Sequence, residues 1–322
     1  MNIKLVIILI FIGLLLLACT DREIYNGTGP DPSIGGDYTR INGIIKGTLL
    51  KSDSPFYVSA TISVETNDTL IIEPGVELFF NSSSQLKVTG TLVAIGDQQN
   101  RISFKPFEIN IGWLGVHLLN TSTSSILRFC DISDVYLSTD SSVKNGAVEF
   151  TNAQGEISNC YFEYNYAVFG GAIYCENSSI EIKNNIFYQN DAEIFGGAIY
   201  SFSSSNKIYN NSAYRNSCYN YGGGFVFENA LNEDVQNNIL YRNFSFTGDS
   251  RIAIFNSDST NINLQYNFLG SEQMNPLFID EQNLHLQISS PCIDNGNPDP
   301  AFNDVDGSRN DQGAYGGPNG DW

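Results

Sequence analysis

Two arginines, Arg215 and Arg242, follow tyrosines in segments that otherwise match, IYNNSAYRN from Ile208 and VQNNILYRN from Val235. An arginine removes a proton only when its pKa is strongly depressed, as beside calcium and a bound substrate, and calcium needs several carboxylates. The nearest acids by alignment are Asp191 and Glu193, without a cluster of three or four, so the arginines read first as solvent-facing turn residues. A hydrolase needs two opposed carboxylates, and here the acids are scattered. His117 and His285 lie far apart in the chain and read as ordinary strand residues. A clearer pattern is aromatic. Tyr188, Tyr214 and Tyr241 align as an outward ladder, with Tyr219, Tyr221, Phe244 and Phe246 close by. Stacked rings suit the apolar faces of sugars, and Asn and Ser supply hydrogen bonds; the same ladder would equally serve cross-strand packing. Asp304, Asp306 and Asp311 are spaced like the start of a calcium loop, but no bidentate Glu follows, so a structural turn competes with a bound ion. Calcium is the one cofactor these residues suggest.

The elements that position these residues come from a repeat. Gly170-Gly171-Ala172-Ile173-Tyr174 recurs from Gly196 to Tyr200 and again from Gly222 to Val226, with a weaker version at Asn145–Val148. In step with it run ISNCYFEYN, IKNNIFYQN, IYNNSAYRN and VQNNILYRN, beginning at Ile157, Ile182, Ile208 and Val235. Repeats of this period read as stacked supersecondary units. Alternating runs such as Ser179-Ile180-Glu181-Ile182-Lys183, broken by Gly, Asn and Ser, are strands of three to six residues, with no helical stripe beyond the leader. Stacked in parallel they make a β-solenoid with rungs about 4.8 Å apart. The spacing predicts inward columns Ile157–Ile182–Ile208–Val235 and Phe162–Phe187–Ala213–Leu240. It also predicts two asparagine ladders, one at 159, 184, 210 and 237 and the other at 165, 190, 216 and 243. The paired glycines supply positive φ and close approach at a turn.

Composition sets the class. The 322 residues are 12% aromatic and only 16% charged, with a formal net charge of -19, which argues for a packed core rather than disorder. Sixteen basic residues without a cluster argue against nucleic acid as a partner. Lys4, the apolar run LVIILIFIGLLLLA and Leu16-Leu17-Ala18-Cys19 look like a bacterial lipoprotein signal, cut before Cys19, which then carries the lipid. Five other cysteines at irregular spacing read as buried small hydrophobes, with Cys130 and Cys160 at matching repeat positions.

The Gly-Gly-Ala-Ile and Phe-x-x-Asn pairing, in Phe162 to Asn165 and Phe187 to Asn190, resembles the repeat of chlamydial polymorphic membrane proteins, surface β-helices associated with adhesion. More broadly, TLIIEPGVELFF from Thr69, LKVTGTLVAIG from Leu86 and the closing segment from Asn275 resemble right-handed parallel β-helices of the pectin-lyase-like superfamily. The resemblance implies one all-β domain of nine or ten coils. The expected organisation is a signal over 1–18, a tether over 19–39, the solenoid over 40–280, and a segment over 281–322 capping its end. The expected role is that of a monomeric, lipid-anchored, surface-exposed protein of the outer membrane: adhesion or binding of a polysaccharide or of a host or neighbour surface ligand, without catalysis. A polysaccharide lyase or hydrolase and a passive scaffold are the alternatives.

Overall fold

The computed structural model describes residues 37–108, 111–137, 145–258, 261–281 and 284–322; Cys19 and its leader lie outside them. The chain is a parallel β-solenoid. One turn contains the strands Ile173–Glu176, Ser179–Lys183, Ile186–Tyr188 and Asp191–Phe195, after which Ile199–Phe202 begins the next turn above Ile173–Glu176. All strand pairings within the coils are parallel, so each strand hydrogen-bonds to its counterparts one repeat before and after. The sheet containing Ser179–Lys183 has nine strands, from Gly47–Leu49 to Ile262–Gln265. Nine strands enclose eight steps, so there are about eight turns rather than nine or ten, a stack of roughly 38 Å at normal strand spacing.

What bends the chain in its central coils is a left-handed residue at the corners. In one turn these are Asn177, Asn184, Gln189 and Gly196, with φ of 49°, 55°, 51° and 70°. The next turn repeats them as Ser203, Asn210, Arg215 and Gly222. Asn reaches this conformation at little cost, and Gly at none. The second glycine of each pair answers to space instead: a Cβ on Gly197 would sit 2.3 Å from the Gly223 carbonyl oxygen and 2.4 Å from that of Ser217. Repetition of Gly-Gly therefore marks one corner per turn where backbones of successive coils nearly touch.

The interior is filled by columns in perfect register. Ile157, Ile182, Ile208 and Val235 pair in sequence and are fully buried, as are Phe162, Phe187, Ala213 and Leu240. Cys130 and Cys160 are buried free thiols in this stack; the Cys130 N–H approaches the Cys160 sulfur at 3.4 Å. Asn165, Asn190, Asn216 and Asn243 form an amide ladder, each Nδ2 donating at 2.9 Å to the next Oδ1.

The other expected ladder is displaced by one residue. Asn159, Asn184, Asn210 and Asn237 are the left-handed corner residues, and the buried amide ladder consists of Asn185, Asn211 and Asn238, which follow the last three of them, continued by the half-buried Asn267 after the corner at Tyr266. A corner in the left-handed conformation turns its own side chain outward and the next one inward. The outward amides hold the C-terminal segment: Asn159 donates to the Asn319 carbonyl, Asn184 to those of Ala314 and Gly316, and Asn210 to that of Asp311. The C-terminal segment is thus no end cap. It is a strap lying along the flank and running back toward the entry coils, where Trp322 packs edge-on against Phe129 and Tyr161 beneath the Arg101 guanidinium. The final coil keeps inward-column residues partly open, with Ile254 at 42% and Leu264 at 40% exposure.

Candidate functional site

The strap decides which aromatic residues meet solvent. Tyr188, Tyr214 and Tyr241 do stack, with centroids 5.9 and 5.8 Å apart, and they do point away from the interior. They are nevertheless buried, because Phe278, just ahead of the strap, packs edge-on against Tyr214 and Tyr241 and the ladder joins a core with Leu284, Cys292 and Ala314 of the strap. Their ring faces are occupied by one another and by the strap, so a sugar could stack there only after the strap left. The residues line an internal seam, which is a correction to the reading of an open ladder.

Arg215 and Arg242 edge the same seam at left-handed corners. Arg215 lies 2.5 Å from the Glu281 carboxylate and Arg242 3.8 Å from it, and each guanidinium lies 5.3 Å over the ring of the preceding tyrosine. The Tyr214 hydroxyl bonded to Arg242 raises the arginine's pKa, with the neighbouring Tyr241 adding to it. A proton-abstracting arginine needs the opposite shift. Asp191 accepts from Ser217 at 2.9 Å instead of joining an acidic cluster.

The three aspartates of the closing segment serve turns. Asp304 accepts from the Asp311, Gly317 and Ser308 donors, Asp306 from the backbone and hydroxyl of Ser308, and Asp311 from the Asp294 N–H. Burial pushes Asp311 up to about 6, and the charges of Asp304, Asp294 and Asp306 reinforce it. Among the described residues, no group of three or more His, Cys, Asp or Glu is placed to hold a metal ion. His117 bonds Glu149 at 2.7 Å, and His285 stacks on Tyr315.

The open aromatic surface lies on the fourth-strand flank, beyond the seam. Its strands Tyr166–Phe169, Asp191–Phe195, Ser217–Cys218 and Phe244–Ser245 form a four-stranded sheet. At its far end Tyr219 and Phe246 stack at 5.4 Å and 10° between planes while remaining 60% and 69% exposed. Tyr221 stacks on Phe195 at 6.1 Å, and Phe244 is 57% exposed. Beside Phe244 opens a cleft of about 840 Å³, lined by Arg242, Phe244, Asp249, Ser250, Arg251 and Glu272, among others. It exists because the chain leaves the coil at Gly270, so the sheet lacks the strand that would follow Phe244–Ser245. Tyr219, Tyr221, Phe244 and Phe246 were visible in the sequence as neighbours of the ladder. Arg251 was not, because it falls in the last, degenerate repeat, where no alignment singles it out.

Comparison with known proteins addresses the repeat. Residues 159–176 match the Chlamydia polymorphic membrane protein (Chlamydia_PMP) repeat. A stretch of 59 residues, 18% of the chain, is 41% identical to Protein bark beetle of Drosophila melanogaster. It covers 2% of that protein, so the likeness concerns a local segment and not the whole. The matched repeat spans one Asn–Cys corner, Phe162, Asn165 and the first Gly-Gly corner, and so three of the four strands of one coil here. This repeat family points to a bacterial outer-membrane or surface location, and the chain is a parallel β-helix with repeats of the polymorphic membrane protein type.

Proposed function

We propose that the protein is a non-catalytic binding protein of the bacterial cell surface, held to the membrane by lipid on Cys19 and engaging glycan through its fourth-strand flank. The observation that carries this reading is the stacked Tyr219–Phe246 pair, two parallel rings left open to solvent at the ends of adjacent strands. Exposed aromatic surface of this kind marks interaction sites. Rigid flat rings match the apolar faces of pyranose rings, and Ser and Asn side chains in the same turns offer hydrogen bonds to hydroxyls. Acidity of the whole chain speaks against nucleic acid.

The test is a glycan array with the full chain in mild detergent, run in calcium and again in chelator. Selective binding that falls at least tenfold in Tyr219→Ala and Phe246→Ala supports the reading. A blank array, or binding indifferent to both substitutions, overturns it in favour of a protein ligand or a scaffold.

A further inference from the structure

The missing fifth strand leaves a polar notch at the end of the aromatic flank, and we infer that this notch seats a carboxylated sugar at the terminus of a glycan chain. The inference rests on the glycan reading and assigns it a ligand class. In a chain with 16 basic residues against 35 acidic ones, two guanidiniums line this one cleft. Neither is committed to a tight pair. Arg251 meets Asp249 only at 3.4 Å from Nε and from Nη2, and Arg242 reaches the Tyr214 hydroxyl at 3.4 Å and Glu281 at 3.8 Å, all through Nη1. A guanidinium has five N–H donors in a fixed fork and forms its strongest bonds with a planar carboxylate. Both therefore retain donors for an incoming anion.

The remaining lining fits the rest of such a ligand. The half-exposed Phe244 ring gives a flat apolar wall for one face of a pyranose. Asp249 and Glu272 accept hydrogen bonds and repel bare anions, which favours a molecule carrying several hydroxyls beside its one carboxylate over inorganic phosphate or sulfate. The notch closes at Gly270–Glu272, where the chain turns away, so it admits the end of a glycan whose preceding residues extend toward Phe246 and Tyr219.

The experiment is a titration of the full chain with methyl glucuronide, N-acetylneuraminate, methyl glucoside and inorganic sulfate, followed by ligand-observed NMR. Binding of one or both acidic sugars is expected, at least tenfold tighter than methyl glucoside or sulfate, weakening with salt. Arg251→Gln and Arg242→Gln should each lower that affinity about tenfold, the loss expected of one charge-assisted hydrogen bond at roughly 1.4 kcal/mol. Far-ultraviolet dichroism checks that the variants keep their sheet. Equal binding of glucuronide and glucoside, or affinity unchanged in both arginine variants, overturns the acidic-sugar seat while leaving glycan binding on the array standing. Loss of every array signal overturns both.

Discussion

Adjacent asparagines in this protein do different work, and the difference can be measured. Asn185 is buried: its Nδ2 donates to the Ile157 carbonyl and to Asn211 Oδ1, and its Oδ1 accepts from the Cys160 N–H. Its neighbour Asn184 supplies a left-handed corner and two hydrogen bonds to the strap. Asn185→Ala strands several buried groups and should cost about 3 kcal/mol in urea unfolding, since each unsatisfied group costs roughly 1–3 kcal/mol. Asn184→Gly keeps the corner, so it should cost only about 1 kcal/mol. Its effect should appear as faster amide exchange in the strap around Ala314 and Gly316, with the coils unchanged. Equal global losses in the two variants would contradict this division. Sequence alone could not separate them, because an Asn-Asn pair fits either column; the left-handed φ of the first residue decides which side chain faces in.

Glu233 carries a second residue-scale prediction. It sits inside the solenoid, accepting from the Ser201 hydroxyl at 2.5 Å and from the Asn206 N–H at 3.0 Å. Burial outweighs these bonds and pushes its pKa up to about 7. A raised carboxylate pKa means that the folded state holds the proton more tightly than the unfolded one. The associated stabilisation is full below the ordinary carboxylate range and is lost as pH rises through about 7. Glu233→Gln should therefore raise stability at pH 8 by on the order of 2 kcal/mol and flatten the profile between pH 5 and 8. Unfolding titrations across that range check it, and a variant destabilised at pH 8 would show that the charged form is better solvated than its surroundings indicate.

At the scale of elements, the coils and the strap differ in how much the sequence reveals. A coil repeats, so each column is written several times: Phe162, Phe187, Ala213 and Leu240 could be placed side by side from spacing alone. The strap is written once. Its contacts join residues about a hundred positions apart, such as Asn210 and Asp311, and no period announces them. That is why the tyrosine ladder could be aligned correctly while its cover went unseen, and why attention moves to the fourth-strand flank. Trp322 anchors the strap's end through Arg101, Phe129, Tyr161 and its own Nε1–H bond to Ala314. Trp322→Ala should cost about 3 kcal/mol of strap attachment, by analogy with other buried aromatic truncations. Limited proteolysis should then cut within 290–322 first and leave a resistant core. Unchanged cleavage would mean that the asparagine corners alone hold the strap.

For the whole molecule, stacking makes position along the axis matter as much as residue type. A solenoid's stability is close to a sum over coils and their interfaces, and only an internal coil is covered on both sides. Phe227 and Ile254 are register partners in one inward column, yet Phe227 is fully buried and Ile254 is substantially open in the final coil. Phe227→Ala removes a ring packed between coils and should cost about 3–5 kcal/mol. Ile254→Lys puts a charge into the same column one step later, where its aliphatic stem can lie over Phe227 and its ammonium reach water, so it should cost less than about 1 kcal/mol. Urea unfolding of the two variants makes the comparison. A large loss in Ile254→Lys would mean that the final coil is covered in solution, and a concentration-dependent midpoint in the native protein would then identify the cover as a second copy of the chain.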